Sequence, residues 1–528
     1  MGRVNIYLNP GFENFRRTLS GEIYVDKTMM IARMNRFIDT GNNYVCVSRP
    51  RRFGKTIANN MLSAYYSKGC DAGGLFAPLK ISSVPDYKEK MNRYNVIQID
   101  MNSEYQNTTI KEKLIHRLTA DIREEMRDQF PTVLLGEDDS LAQCIQKIYA
   151  ATGETFVILM DEYDVLVREQ VSEALFSEYM SFLNGLFKSN TIRPAISLAY
   201  LTGILPIVRD KIQSKLNNFE EYTILDADVL AEYVGFTGEE VRQLCSRYGA
   251  DFETCRRWYD GYRQYGLEIY NPESVVKAVR KKQFGSYWGK TSTYEAITER
   301  IRQDFEGTRE EVVRMLSGES VDVNVTRYMN TMTSFTTRSD LFTYLIHLGY
   351  LAYNMEDSTC RIPNFEVRQE WFNAIEAEPE YAVTNAIIQS SRRLLEETTS
   401  GNAEAVEKAL DVSHIHVTSN RSYNNEDALQ SAIYLAFIYA LNRYTIIKEM
   451  TSGKGFADVV FIPFYRGDPA MVIELKRNDC TESALNQIRQ KQYFDSLLHY
   501  KGSMLLVGIN YDEKAKTHTC AIERLEKS

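Results

Sequence analysis

Four short runs of this 528-residue chain are apolar at almost every consecutive position: NYVCVS (43–48), YNVIQIDM (94–101), TFVILMDE (155–162) and AISLAYLTG (195–203). A strand that does not alternate polar and apolar residues is buried on both faces. That requires helices above and below a parallel sheet. The intervening stretches supply them: KTIANNMLSAYYS (55–67) reads as a helix, and the other three runs are likewise separated by helical segments. The first 235 residues therefore predict an α/β layer domain. At this length one core does not suffice. Residues 236–400 read as a mostly helical region with a Tyr-Gly-rich interruption, WYDGYRQYGLEIYNP (258–272), and 401–528 as a second α/β domain. TTSGNAEAVEKAL (398–410) resembles a linker entering a helix. Beyond it a helix at about 425–442 precedes three strand-like runs, a helix at about 481–498 and a last β pair at 503–509 and 517–523.

The first apolar run leads into SRPRRFGKT (48–56). A phosphate-binding loop reads G-x-x-x-x-G-K-[ST] between a strand and a helix. Its backbone N–H groups cradle phosphates, the lysine adds charge and the hydroxyl ligates Mg²⁺. Gly54, Lys55 and Thr56 satisfy the end of that pattern, but Arg49 stands at the first glycine, followed by Pro50, Arg51, Arg52 and Phe53. Alone, FGKT is equally readable as a basic surface turn. The third apolar run shifts the balance, because it ends in Asp161-Glu162. Asp161 is placed to hold the water shell of Mg²⁺ and Glu162 to polarise an attacking water. Thr202, closing the fourth run, is a candidate sensor of the γ-phosphate, or simply a strand cap. Arg209 is a weaker candidate for an arginine finger.

A second constellation lies in GFADVVFIPFYRGDPAMVIELKRN (455–478). Two strands joined by a Gly-Asp-Pro turn carry Asp458 on the first and Glu474 and Lys476 on the second. Alternation puts Glu474 and Lys476 on one face and Leu475 on the other. Two carboxylates and an amine on one sheet face suit a Mg²⁺-dependent phosphodiester cleavage, with the lysine steadying water or developing charge. The competing reading is an ordinary Glu474–Lys476 ion pair; the apolar neighbours Val472, Ile473 and Leu475 argue against it, since buried charges are costly. Gln487, Lys491 and Tyr493 on the following helix are further candidates for phosphate contact, and Glu426 for an extra carboxylate.

Other features carry less. His414-x-His416 has strand spacing but no third ligand in view. Tyr259, Tyr262, Tyr265 and Tyr270 could stack on bases, although packing between helices explains them better. Eight scattered cysteines without C-x-x-C suit a reducing cytoplasm. Net charge is −9, so polyanion binding has to come from local clusters. The start, MGRVNIYLNP, shows no apolar leader-like run, and AIYLAFIYAL (432–441) is too short to span a bilayer. No membrane partner is expected.

The motifs together resemble a prokaryotic family that pairs an AAA-ATPase-like N-terminal domain with a C-terminal PD-(D/E)xK nuclease-superfamily domain. The blocks that carry the resemblance run in order from YVDKT (24–28) and RPRRFGKT (49–56) through MDEYD (160–164), LTGIL (201–205) and SKLNNFEEYTILD (214–226). They continue with GFT (235–237), WYDGY (258–262), YNPESV (270–275), GFADVVF, VIELK and ALNQIRQKQY. The resemblance implies a P-loop NTPase sheet in front, a helical middle region and a restriction-endonuclease-like α/β domain behind. It implies ATP at Lys55 and Thr56, and Mg²⁺ and hydrolysis roles for Asp161 and Glu162. The expected ATP site as a whole is the 49–56 loop with Asp161 and Thr202, and the expected metal ligands are Thr56 and Asp161 there and Asp458 and Glu474 in the second domain. Glu162, Asp458, Glu474 and Lys476 are the expected catalytic residues. It also makes the arginine-rich loop the family's own form of the P-loop. Phe456 departs from the pattern, standing where such domains often carry a basic residue. The expected activity is ATP hydrolysis coupled to cleavage of nucleic acid, DNA ahead of RNA, in a possible homo-oligomer. The alternatives are an ATP-dependent switch whose nuclease fold only binds and, more remotely, a phosphotransferase.

Overall fold

The computed structural model describes residues 5–207, 209–210, 213–214, 216–288, 307–316, 318–327, 335, 337–376, 382–417, 433, 436–452, 455–464, 467–491 and 502–525. The chain packs as two compact units, one of residues 1–288 with 321–366, the other of 289–320 with 367–528.

The first unit is built on a five-stranded parallel sheet. Its strands are β1 (Tyr44–Ser48), β2 (Asn95–Asp100), β3 (Phe156–Asp161), β4 (Ile196–Gly203) and β5 (Glu220–Tyr222), in the order β2-β3-β4-β1-β5. All five residues of β1, six of β3 and eight of β4 are buried, as their unbroken apolar runs demand. Helix α1 (Lys55–Tyr66) follows β1 and covers one face through its contacts with β2, β3 and β4. The other face carries Tyr44, Cys46, Ile97, Ile158, Met160 and Leu201. These join one core with Leu118 of α2 (Leu114–Gln129), Ile145 of α3 (Leu141–Thr152) and Leu183 of a later helix. The register matters for the site. Val47 pairs with Thr202 and Met160 with Leu201, so the ends of β1, β4 and β3 stand side by side.

The remainder of this unit is not simply helical. The Tyr-Gly-rich interruption folds as a hairpin of β6 (Tyr262–Gln264) and β7 (Leu267–Tyr270) between α5 (Phe252–Tyr259) and α6 (Pro272–Lys281), the short helix α4 (Val165–Arg168) lying earlier in the chain. Residues 352–361 form a second hairpin. Tyr259, Tyr262 and Tyr270 are core residues here, and Tyr265 at the hairpin tip is 74% exposed, which favours packing over base stacking for the other three.

In the second unit, α7 (Ala382–Ser400) and α8 (Ala403–Val417) are antiparallel neighbours joined at Gly401-Asn402, so the stretch read as a linker is a tight helix–helix turn. His414 and His416 fall on α8, and a helix replaces the strand spacing read for them. Val406 and Leu410, four residues apart, bury one face of α8 and explain why it is helical. Of the helix expected at 425–442, the last five residues are a 3₁₀ turn (Ile438–Asn442), and 418–432 lie outside the described residues. The sheet runs β8-β9-β10-β11-β12, from β8 (Tyr444–Ser452), β9 (Gly455–Pro463), β10 (Ala470–Arg477), β11 (Met504–Asp512) and β12 (Thr517–Leu525). Only β10 and β11 are parallel, and α9 (Thr481–Lys491) makes the crossover that parallel pairing requires. Met471, Ile473 and Leu475 of β10 face Leu394, Leu395, Val406 and Leu410 of the helix pair. Val472 packs with Leu485 and Ile488 of α9 on the opposite face. Asp411 and Glu407 of α8 accept backbone N–H bonds from His518 and Cys520, covering the open edge of β12.

Candidate active sites

At the β1–α1 junction Gly54 is the residue before the helix and has φ 92°, a conformation that L side chains rarely adopt. Lys55 is buried, and its Nζ donates to the carbonyls of Arg49 and Pro50 at 3.0 and 2.9 Å. Burial pushes its pKa down to about 8, against the pull of Asp161, Glu162 and Asp164. Asp161 ends β3 almost wholly buried. Burial raises its pKa, while hydrogen bonds from the Thr202 and Thr56 hydroxyls and the charge of Lys55 oppose the rise. Lys55, Thr56, Asp161 and Thr202 thus meet at the carboxyl edge of three adjacent strands. Glu162 follows in the left-handed region, φ 48°, a strain of about 1–2 kcal/mol for a residue with a side chain.

The arginines of the loop are engaged by the protein. Arg49 is fully buried; its Nη1 donates to Ser48 O and Tyr222 O at 2.8 Å each, joining the loop to edge strand β5. Arg52, at φ 69°, pairs with Glu273 at 3.3 Å and donates to Tyr287 O. Phe53 meets Tyr262 edge-on at 5.5 Å, and Tyr262 donates to Gly349 O at 2.5 Å. A Cβ on Gly349 would stand 2.8 Å from Pro50 Cβ, so only glycine lets Pro50 sit there. The loop is held by Tyr262, Glu273, Tyr287 and Gly349, a long-range clamp that sequence spacing does not reveal.

Two residues of this site went unassigned in the sequence. Asp164 is fully buried and its Oδ2 accepts from Ile204 N and Leu205 N at 3.1 and 2.9 Å, while Arg168 bridges Asp164 (3.1 Å) and Glu162 (2.7 Å). The i, i+4 acid–base spacing of Asp164 and Arg168 was the available signal. Arg209 lies on a short strand, its side chain outside the described residues.

In the second unit Glu474 is 1% exposed, and its Oε1 accepts from Lys476 Nζ (3.5 Å) and from Gln487 Nε2. Lys476 Nζ in turn donates to Gln487 Oε1 at 2.6 Å. Helix α9 can bring Gln487 this close because Gly508, the β11 partner of Glu474, carries no side chain. A Cβ there would stand 2.7 Å from Thr481 O. Asp458 lies on β9 beside Val459, the partner of Ile473; its side chain, that of Lys491, and all of Tyr493 and Glu426 lie outside the described residues. Among the described residues no group of three or more His, Cys, Asp or Glu side chains could hold a metal. The oxygen donors at each site, Thr56 with Asp161 and Glu474, nevertheless match the hard ligands that Mg²⁺ takes.

Residues 10–213 match the family AAA-ATPase_like, described as "Predicted AAA-ATPase", and residues 424–520 match the PD-(D/E)XK nuclease superfamily. The protein therefore joins an AAA-ATPase-like domain to a PD-(D/E)XK nuclease-superfamily domain. Domains of these two classes work with a nucleotide and a divalent metal. Among curated proteins the chain is similar to the "Uncharacterized protein in vnfD 5'region" of Azotobacter chroococcum mcd 1, 26% identical over 296 residues. The match spans 54% of this chain and 54% of that protein, about half the length of the curated relative. Among solved structures it is similar to the ORC2 protein of Aeropyrum pernix (ADPNP–ADP complexes), at TM-score 0.29 and 11% identity over 68% of this chain and 98% of that one. Cdc6p of Pyrobaculum aerophilum gives TM-score 0.24 and 12% identity over 66% and 93%. Among the described residues no helix is long and apolar enough to cross a membrane.

Proposed function

We propose that the protein hydrolyses ATP in its N-terminal domain and uses that cycle to gate a Mg²⁺-dependent nuclease in its C-terminal domain, with DNA as the favoured substrate. The observation that carries the reading is the meeting of Lys55, Thr56, Asp161, Thr202 and the strained Glu162 at one sheet edge. The backbone of residues 49–56 wraps the phosphates, and Lys55 exchanges its two loop carbonyls for phosphate oxygens. Thr56 and Asp161 hold the metal, Glu162 takes the proton of the attacking water, and Thr202 senses the γ-phosphate through Asp161. Mg²⁺, when bound, would supply neutralisation of phosphate charge at each site. In the second domain Glu474 and Asp458 would hold the metal, and Lys476, oriented by Gln487, would steady the hydrolytic water. Gln487, Lys491, Tyr493 and Glu426 are the further candidates for contact with substrate or metal in this domain. The test is phosphate release without any acceptor, run beside cleavage of single- and double-stranded DNA and RNA. Release abolished by Lys55→Ala and cleavage abolished by Lys476→Ala are expected; cleavage surviving Lys476→Ala refutes the second site.

A further inference from the structure

Glu162 is not free to face a water on both oxygens, because Arg168 Nη2 holds its Oε2 at 2.7 Å. The same guanidinium holds Asp164 through Nε at 3.1 Å, and Asp164 Oδ2 also takes the N–H groups of Ile204 and Leu205. Those two residues follow Thr202 by two and three positions, and Thr202 bonds Asp161. One short segment of chain therefore touches both the metal-binding carboxylate and, through Asp164, the cation that holds the catalytic one.

The members of this chain differ in freedom. The Asp164 side chain is 0% exposed and Arg168 7%, whereas Glu162 is 28% exposed. The buried pair is the fixed part, and Glu162 is the arm that moves. Opening the Glu162–Arg168 contact leaves Arg168 paired with Asp164, so no buried charge is stranded, the usual heavy cost of breaking such a pair. Releasing Glu162 therefore costs that one contact and leaves no unpaired buried charge.

We infer that Arg168 is a positioning residue that holds Glu162 back from the attacking water until Glu162 swings away from the fixed Asp164–Arg168 pair. The inference rests on the ATPase reading above and names a regulator of that site. Arg168 acts through the Glu162 carboxylate to which it donates its hydrogen bond.

The test compares wild type, Arg168→Gln, Arg168→Lys and the double variant Glu162→Gln/Arg168→Gln in the full chain. Thermal melting checks folding, a fluorescent ATP analogue gives Kd, and phosphate release gives kcat and KM. Arg168→Gln keeps a hydrogen-bond donor but drops the charge. It is expected to raise kcat at least threefold with KM and Kd within twofold of wild type, while the double variant stays as inactive as Glu162→Gln. Arg168→Lys, which cannot span both carboxylates, gives an intermediate rise and carries the test if the glutamine variant does not fold. A folded variant that binds ATP normally but has an unchanged or lower kcat overturns the inference and leaves the ATPase reading standing. Absence of phosphate release from wild type and all variants overturns both.

Discussion

Replacing Arg49 by methionine separates two roles that a loop arginine can play. Arg49 gives two 2.8 Å hydrogen bonds, to Ser48 O and Tyr222 O, from a fully buried guanidinium. Burial pushes its pKa down to about 10, so it remains a cation at neutral pH. Each bond from a charged donor is worth about 1.5–3 kcal/mol. Methionine recovers part of that, because the cost of burying an ion disappears with it. The chain length of methionine leaves little cavity. The net loss is about 2 kcal/mol, which for a unit of this size, at about 1–2 °C per kcal/mol, lowers the melting temperature by about 2–4 °C. Arg49 Nε and Nη2 meet no protein acceptor among the described residues, so a phosphate oxygen is the competing partner that the experiment must exclude. Melting and ATP-analogue titration of Arg49→Met, beside Arg51→Met, decide it. Loss of melting temperature with ATP affinity changed less than threefold is expected. A variant that melts like wild type and binds ATP more than tenfold worse refutes the account of Arg49 as a strut.

Other expectations follow from the same geometry. Lys55 sits at about 8 because of burial, and phosphate favours its cationic form, so above that pH ATP binding must take up a proton. Affinity measured by titration should fall about tenfold from pH 7 to pH 9, and this dependence should vanish in Lys55→Met. Gly508→Ala sets a methyl 2.7 Å from Thr481 O and pushes α9 outward. An overpacking cost of about 1–3 kcal/mol should appear as earlier melting of the second unit, with nuclease activity reduced as Gln487 leaves Glu474. Tyr262→Phe removes the bond to Gly349 O and should cost about 1 kcal/mol. It should also raise hydrogen exchange in residues 49–54, read by mass spectrometry.

Four strands of the parallel sheet were legible because their unbroken apolar runs suit burial on both faces. The edge strand β5, Glu220–Tyr222, is polar, mostly uncovered and was missed. The convergence of Asp161 with Thr202 and Thr56 followed from knowing only where those runs end. The clamp on the loop was not legible, since Pro50, Phe53 and Arg52 find Gly349, Tyr262 and Glu273 across more than 200 residues of chain. In the second unit the alternation along β10 correctly separated Glu474 and Lys476 from Leu475. Gln487 reached them only because Gly508 lets α9 approach, a fact about packing. The histidines misled because a short H-x-H is compatible with a strand, while the burial of Val406 and Leu410 that makes the segment helical comes from α7. Arg168 was overlooked because its partners belong to two adjacent turns and its importance lies in linking them.

The most direct measurement of the central claim is the rate of DNA cleavage by the intact chain with Mg²⁺, compared without nucleotide, with ATP and with a non-hydrolysable analogue, for wild type, Lys55→Ala and Lys476→Ala. Cleavage that responds to ATP in wild type, loses that response in Lys55→Ala and disappears in Lys476→Ala is the predicted result. Cleavage indifferent to nucleotide and to Lys55 contradicts the coupling, and ATP hydrolysis with no cleavage under any metal contradicts the nuclease.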